Sequence, residues 1–235
     1  MSDQKKIIQE RIIQYEEQFS NDNTGLEIYV AKGSIPILLS TPHSVYQRRE
    51  GKIKPKEMFT GAIGRYIHET TGCHLIQSVA SEFNDPNYDT EDNSLYKEKL
   101  YQIVKTQEIC MVIDLHGCKG STPYLVELGT INDEYQSLNG DKKLLGKIID
   151  IFKDNLTECG KTPVRINEKF NAARETTITN YVNTKTNIAS LQIEINANIR
   201  DFYHIENLKN SIKLVESLSE LIYMASDYFQ EKPKK

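Results

Sequence analysis

Residues 109–115 constrain the fold most, because they form a short and nearly continuous apolar run in which Asp114 is the one charged residue. Such a run is typical of a strand that is buried on both faces at the centre of an α/β sheet. Further short strands are predicted at residues 26–31, 35–40, 74–79, 124–129 and 191–195. Because segments with helical periodicity separate most of these strands, we predict an α/β fold whose mixed β-sheet is flanked by helices on both faces.

The spacing of apolar residues predicts five helices, at residues 3–19, about 57–71, about 94–106, about 141–155 and about 205–229. The link 32–34 contains Gly33 and predicts a hairpin-like pairing of the strands on its two sides. Residues 124–129 are expected beside residues 109–115, and residues 161–186 show no clear pattern. No internal repeat or linker divides the chain, so we predict one domain over residues 1–235.

Charge and hydropathy exclude several classes of partner. The chain has 235 residues and a net charge of −4, with acidic and basic residues interspersed, which argues against nucleic acid binding. No apolar run approaches the roughly 20 residues that a membrane span needs, and the N-terminus lacks the apolar region of a signal peptide. The four cysteines are scattered without a Cys-x-x-Cys pair, which is typical of reduced thiols. We therefore expect a cytoplasmic protein that binds neither nucleic acid nor membranes.

Two histidines occupy matching positions in the predicted sheet. His43 follows the strand at residues 35–40, in Thr41-Pro42-His43-Ser44, and His116 follows the strand at residues 109–115, in Asp114-Leu115-His116-Gly117. Ligands of α/β proteins bind in the crevice outside the carboxyl ends of the strands. Imidazole is a common zinc ligand, and a catalytic zinc ion usually has three protein ligands and one open position. The pair therefore predicts a zinc site and an enzyme.

The third ligand should be a carboxylate. Glu57 is our choice because it begins a predicted helix at the end of the polar segment that starts near His43, and Glu50 and Glu82 are the alternatives. Cys118 follows His116 by two residues and is a weaker candidate. Positions i and i+2 of a strand face the same side, so Asp114 is expected to line the same pocket or to orient a ligand.

A second acidic residue interrupts the apolar strand Leu191-Gln192-Ile193-Glu194-Ile195-Asn196. Glutamate is rarely buried without a partner, so Glu194 must face solvent, a cation or a hydrogen-bond network. If this strand is central, Glu194 is expected to act as the general base beside a metal-activated water molecule. If the strand lies at an edge, Gln192, Glu194 and Asn196 would simply face water.

These segments together resemble the N-formylglutamate amidohydrolase family, which has a Pro-His-Ser segment, an Asp-x-His segment and a late Gln-Ile-Glu-Ile-Asn segment in this order. Residues 164–170 are also similar to its Val-x-x-Asn-x-Pro-Phe stretch, and the resemblance covers about residues 35–200. It implies a zinc carboxypeptidase-like core of the phosphorylase/hydrolase-like class. It also implies one zinc ion held by His43, His116 and an acidic residue, with Glu194 as the general base and acid.

The segments that would recognise the substrate depart from the family. Its Asn-Arg motif, thought to grip the substrate carboxylate, has no match in residues 81–89, and its glycine pair after Phe170 is replaced by Asn171-Ala172-Ala173-Arg174. The family's Ser after Asp-x-His is Gly117 in this chain. Arg49 and Arg174 lie in predicted pocket loops and are the candidate ligands for a substrate carboxylate.

The resulting hypothesis is a zinc-dependent amidohydrolase that acts on a small anionic substrate, either an N-acyl amino acid or a peptide-like compound. A carboxypeptidase or deacylase on the same core is the alternative within enzymes. A non-catalytic binding protein on a degenerate hydrolase scaffold is the alternative outside them. The sequence predicts neither the oligomeric state nor the identity of the substrate.

Overall fold

The computed structural model describes residues 3–20, 26–80, 83–157 and 160–231. The helices in these ranges are α1 (Asp3–Ser20), α2 (Thr60–Thr71), α3 (Leu95–Thr106), α4 (Lys142–Leu156), α5 (Ile178–Thr186) and α6 (Ile205–Gln230). The strands are β1 (Ile28–Ala31), β2 (Ile35–Thr41), β3 (Gln47–Arg49), β4 (Lys52–Lys54), β5 (Cys73–Ser78), β6 (Phe83–Asn84), β7 (Met111–Cys118), β8 (Tyr124–Gly129), β9 (Thr162–Ile166) and β10 (Ala189–Asn196).

Seven strands form the main sheet, in the order β1-β5-β2-β7-β10-β8-β9. The four central strands β5, β2, β7 and β10 are parallel to one another, and β1 and β8 pair antiparallel to their neighbours in that block. The remaining strand, β9, pairs parallel with β8. The apolar run identified in the sequence lies in β7, at the centre of the sheet. The predicted fold class, α/β with a mixed sheet, is confirmed.

Helices cover both faces of the sheet. On one face α1, α2, α4 and α6 enclose the larger hydrophobic core, which includes Leu39, Leu75 and Ile113. On the other face α3 and α5 enclose a smaller core with Leu38 and Val112. Adjacent residues of one strand thus enter opposite cores, as the period of two in a strand requires. In the described part of the chain, no helix is both long and apolar enough to cross a membrane.

The order of the strands places the ends of β2 and β7 side by side. From β2 the chain passes through α2 to β5 on one side, and from β5 it passes through α3 to β7 on the other side of β2. The two connecting helices lie on opposite faces of the sheet. This is a topological switch point, where a crevice opens at the carboxyl ends of the strands. His43 and His116 both lie at this crevice.

Two predictions of strand pairing were wrong. The strands β1 and β2 do not form a hairpin, because β5 lies between them, and the link passes so close to the start of β5 that a Cβ on Gly33 would be 2.2 Å from the carbonyl oxygen of Gly72. Similarly β8 is not a neighbour of β7, because β10 inserts between them. Both errors share one cause: pairing between strands distant in sequence is not encoded in the local pattern.

The polar segment between β2 and α2 contains structure that its sequence did not predict. Strands β3 and β4 form a short hairpin whose turn residues Glu50 and Gly51 have φ angles of 50° and 75°. Two positive φ angles are typical of the tight turns that join hairpin strands. With β6 this hairpin forms a second, three-stranded sheet, and α2 begins at Thr60 rather than near residue 57. Glu57 therefore lies outside the helix, just before the turn that leads into it.

Candidate metal centre

Three side chains converge at the switch point. His43 follows β2, His116 lies near the end of β7, and Glu57 precedes α2; one ligand atom from each lies within 4.8 Å of the others. The Nδ1 atom of His43 is 2.9 Å from Glu57 Oε1 and 3.1 Å from His116 Nδ1. Two imidazole nitrogens and a carboxylate facing one point are a donor set that fits a divalent metal ion such as zinc. The three residues thus form a candidate metal centre.

A buried carboxylate orients His43 through the ring nitrogen that faces away from the candidate centre. Asp85 is fully buried, and its Oδ1 atom lies 2.9 Å from His43 Nε2. This contact leaves Nδ1 directed at the candidate centre, because an N–H on Nε2 donates to the carboxylate. Burial opposes the charged form of His43, but Glu57 and Asp85 outweigh it and raise the pKa of the imidazole to about 9. Protons and a metal ion would therefore compete for the same nitrogen.

His116 has an equivalent support within its own strand. Its Nε2 atom lies 2.8 Å from Asp114 Oδ2, and the other oxygen of Asp114 accepts a hydrogen bond of 2.7 Å from Ser40. Burial opposes the imidazolium, but the charges of Asp114 and Glu57 raise the pKa of His116 well above its usual value. Asp114 therefore orients His116 and is not one of the three converging groups, in keeping with the spacing of two residues along β7.

Glu57 is fixed from the opposite side of the centre. Its Oε2 atom accepts a hydrogen bond of 2.8 Å from the backbone N–H of Gly117 and lies 3.3 Å from His116 Nδ1. Burial alone would raise the pKa of this carboxyl, but the two histidines overcome burial and hold the pKa below its usual range. Of the two alternative third ligands, Glu50 is exposed and accepts a hydrogen bond from the Tyr88 hydroxyl, whereas Glu82 lies outside the described residues. Cys118 is not in the group of three.

The backbone around Gly117 depends on one buried arginine. Arg200 donates to the carbonyl oxygens of Ile195 and Met58, so it ties the end of β10 to the segment that carries Glu57. A Cβ on Gly117 would lie 2.6 Å from Arg200 Cζ. A side chain at position 117 would therefore require the Arg200 guanidinium to shift.

Glu194 lies on a central strand. Strand β10 is hydrogen-bonded to β7 on one side and to β8 on the other. In these ladders Glu194 lies opposite His116 of β7 and opposite Glu127 of β8. The side chain is 6% exposed, and its Oε1 atom accepts a hydrogen bond of 3.2 Å from Gln192. Burial raises the pKa of Glu194 to about 8; Glu57 and Glu127 add to this effect, and the two histidines oppose it. A carboxyl poised in this way is suited to exchanging protons near neutral pH.

One cavity of about 320 Å³ brings these groups together, and its size is typical of a small-molecule site. Its wall includes His43, Glu57, His116, Glu194, Arg49 and Arg174, together with Gln47, Lys54, Pro55, Asn87, Tyr88, Gly117, Phe170, Thr177 and Gln192. All six residues that were predicted to hold a metal, act on water or bind substrate thus face the same space.

The two candidate arginines have different surroundings. Arg49 Nε and Nη2 lie 2.8 and 2.6 Å from Asp85 Oδ2, so this guanidinium supports the carboxylate behind His43. Arg174 is exposed, and its guanidinium carbon lies 3.7 Å from the centre of the Tyr88 ring. Stacking on an aromatic face leaves the in-plane N–H groups of Arg174 available for a carboxylate. Arg174 is therefore the better placed of the two to meet a substrate.

The loop after β6 supplies three residues that the sequence did not identify: Asp85, Asn87 and Tyr88. The side-chain nitrogen of Asn87 lies 2.8 Å from His116 Nε2, and its oxygen accepts a hydrogen bond from Ile178 at the start of α5. The sequence contained two signals for these residues. The segment Asp85-Pro86-Asn87-Tyr88-Asp89 is rich in polar residues, and each of the two histidines needs a carboxylate to orient it, as Asp114 orients His116.

Glu127 was also missed. It is fully buried on β8 and accepts hydrogen bonds of 2.5 and 2.6 Å from the backbone N–H groups of Lys169 and Phe170. These bonds fix the loop that brings Phe170 to the cavity wall. Glu127 interrupts the apolar strand Tyr124–Gly129 in the same way that Glu194 interrupts β10, so the sequence did contain a signal for it.

Comparisons with known proteins show the fold. No family model matches the chain, and no curated protein does. Among solved structures, it is similar to a gene product from Agrobacterium tumefaciens (TM-score 0.58, 13% identity, 87% of this chain and 95% of that one). It is also similar to N-formylglutamate amidohydrolase from Ralstonia eutropha (0.55, 15%, 86% and 97%) and to a metallo-carboxypeptidase from Burkholderia cenocepacia (0.51, 12%, 94% and 70%). The core fold implied by the sequence motifs is confirmed.

Proposed function

We propose that the protein is a zinc-dependent hydrolase that cleaves an amide bond in an N-acyl amino acid or a small peptide-like substrate. The observation that carries this proposal is the convergence of His43 Nδ1, Glu57 and His116 Nδ1, with Asp85 and Asp114 behind the two imidazoles. Carboxylate-supported histidines are the usual arrangement around a catalytic zinc ion. The shared fold with an N-formylglutamate amidohydrolase and a metallo-carboxypeptidase supports it further.

Each residue of the site has a distinct role in this proposed hydrolysis. A bound zinc ion supplies positive charge that polarises a carbonyl group and makes water more acidic. Glu194, when ionised, accepts a proton from the attacking water and later delivers it to the departing nitrogen. Asp85 and Asp114 keep each histidine with its Nε2 protonated and its Nδ1 lone pair directed inward. Gly117 N–H holds the Glu57 carboxylate in place.

The substrate is proposed to be anionic because Arg174 lines the cavity on the side of Tyr88. Replacing Arg174 with Ala should lower kcat/KM by about 10–100-fold, since a hydrogen bond to a charged group is worth about 1.5–3 kcal/mol. The loss should appear mainly in KM, and Arg174→Lys should recover part of it. Steady-state kinetics on an N-acyl amino acid and on its carboxamide analogue test this. An equal loss on both compounds would contradict a role in carboxylate binding.

Asp85 should control metal affinity without being a ligand. The substitution Asp85→Asn keeps the shape of the side chain and removes the charge that supports His43, so affinity for Zn²⁺ should fall about 10–100-fold. Competition with a chromophoric chelator measures this change. Asp89→Asn is the matched control on the same loop and should bind Zn²⁺ as the wild type does. Wild-type affinity in Asp85→Asn would show that this carboxylate does not support the site.

The proposed activity is tested with a panel of N-acyl amino acids and short peptides, assayed with zinc-replete, chelator-treated and zinc-restored protein. The proposal expects turnover of at least one compound that is lost with the chelator and recovered with zinc. Preference for N-acyl amino acids over peptides separates an amidohydrolase from a carboxypeptidase. Turnover that the chelator does not affect would refute a metal-dependent reaction, and absence of both zinc and turnover would favour a binding protein on this fold.

A further inference from the structure

A second cavity of about 500 Å³ adjoins the candidate catalytic cavity. The two share Lys54, Gly117 and Phe170 in their walls, so they meet directly beside Glu57, which accepts a hydrogen bond from Gly117. Arg174 lines the first cavity and is absent from the wall of the second. The second cavity is therefore available to the acyl portion of a compound whose amide bond lies at the metal centre and whose carboxylate lies at Arg174.

The wall of this second cavity, which we call the acyl cavity, is basic. It contains Lys54, Lys119 and Lys169, and all three side chains are exposed. Within the described residues, none of the three forms an ion pair. The one acidic residue in the wall, Glu168, lies 3.5 Å from Arg165. Three lysines in one recess are notable in a chain whose net charge is −4.

Side-chain hydrogen bonds hold the two backbone segments that present Lys119 and Lys169. Lys161 donates to the carbonyl oxygens of Gly120 and Thr122, and Asn196 donates to the Thr122 hydroxyl at 2.7 Å, which fixes the loop that carries Lys119. The opposite wall is fixed by Glu127, which accepts hydrogen bonds from the backbone at Lys169 and Phe170. A preformed recess binds its ligand without the cost of ordering loops.

The size of the acyl cavity argues against a minimal acyl group. A formyl group has one carbon and one oxygen and would fill little of a space of about 500 Å³. An acyl chain that reached the lysines would fill the recess, and an anionic group on it would meet three ammonium groups. Because clefts lined by charge of one sign concentrate ligands of the opposite sign, the recess favours acidic compounds over neutral ones of equal size.

We propose that the acyl portion of the substrate is an extended acidic group, such as an acidic peptide segment, and that Lys54, Lys119 and Lys169 bind it in the acyl cavity. The substrate then carries negative charge on both sides of the scissile amide, one at Arg174 and one at the lysines. This inference rests on the proposed function for the position of the amide bond. The binding preference that it predicts can be measured without turnover.

The test is calorimetric titration of the full-length protein with two blocked peptides, acetyl-tetraglutamate and acetyl-tetraglutamine. Wild-type protein should bind the acidic peptide at least about ten-fold more tightly, and Lys119→Glu/Lys169→Glu should abolish that preference. Since both lysines are exposed, the double variant should keep the wild-type thermal midpoint. Binding of the acidic peptide should also weaken with added salt, as screened charge interactions do.

A matched control separates local binding from the overall charge of the protein. Lys142→Glu/Lys147→Glu on α4 changes the net charge equally at exposed residues that line neither cavity, and it should retain the preference. Equal affinity of wild-type protein for both peptides would overturn the inference, as would unchanged binding of the acidic peptide to Lys119→Glu/Lys169→Glu. If the proposed hydrolase function fails, zinc binding and turnover are absent, whereas this charge preference is scored independently of both.

Discussion

Replacing Glu194 with Gln should reduce kcat by about 10²–10⁴-fold, the range that general acid–base catalysis contributes. The substitution removes the group that accepts and returns the proton but keeps the size of the side chain. Zinc content should remain at the wild-type level, because Glu194 is not among the three converging ligand atoms. Kinetics on the best substrate of the panel, with metal analysis of the same sample, measure both quantities.

The internal control for this experiment is the double variant Gln192→Glu/Glu194→Gln, which moves the carboxylate two residues earlier on the same strand. The Gln192 side chain donates to Glu194 and to the carbonyl oxygen of Phe170. A carboxylate at position 192 in the Glu194→Gln background should not restore turnover, since position 194, not 192, pairs with His116 across the sheet. Near-normal turnover of Glu194→Gln itself would show that the mechanism assigns the proton transfer to the wrong residue.

Replacing His116 with Ala should abolish zinc binding and, with it, all metal-dependent turnover. The substitution removes one of three ligands and leaves Glu57 and His43 without the third donor that a tight zinc site needs. It also removes the group that Asp114 supports, so a buried carboxylate loses its partner and the protein should become less stable. Elemental analysis and thermal unfolding measure these two effects.

His204→Ala is the matched control, because His204 is exposed, contacts Asp201 in the segment before α6 and does not line the cavity. This variant should retain zinc and turnover. If His116→Ala still bound one zinc ion with wild-type affinity, the candidate centre would not be the metal site. To separate metal loss from misfolding, His116→Gln provides a second variant with a side chain closer in size, and it should lose zinc while keeping its secondary structure.

The elements of the fold were predictable where the signal is local. The apolar run in β7, the helical spacing of α4 and α6, and the strand-end position of His43 are all encoded within about ten residues of sequence. His116 was identified by its position after an apolar strand, and Glu194 was identified as a charged residue within one. Their proximity was implied only by the resemblance to a known family, because the local pattern left open whether the strand of Glu194 is central or lies at an edge.

What the sequence did not predict depends on contacts between distant segments. The insertion of β10 between β7 and β8 is settled by tertiary packing, not by the pattern of any one strand. Asp85 reaches His43 from a turn-rich loop whose composition is also typical of a solvent-exposed connection. The sequence predicted Arg49 as a substrate ligand and did not predict its hydrogen bond to Asp85, which forms because the β3–β4 hairpin brings Arg49 over that carboxylate.

The Tyr88 ring is contacted by two arginines at the rim of the cavity. The guanidinium carbon of Arg49 lies 4.7 Å from the centre of the Tyr88 ring, and that of Arg174 lies 3.7 Å from the same centre. An arginine from the loop before α5 thus reaches the region next to Asn87. The resemblance to the family could not predict this arrangement, because the two residues are 86 positions apart and neither lies in a shared motif.

The most direct test of the central claim is the location of the metal by anomalous diffraction at the zinc edge, using crystals of zinc-replete wild-type protein. The account predicts one strong anomalous peak between His43 Nδ1, His116 Nδ1 and the Glu57 carboxylate, at about 2.0–2.2 Å from each donor. A fully ordered zinc-replete crystal with no peak at that position, or with its zinc bound elsewhere, would contradict the account.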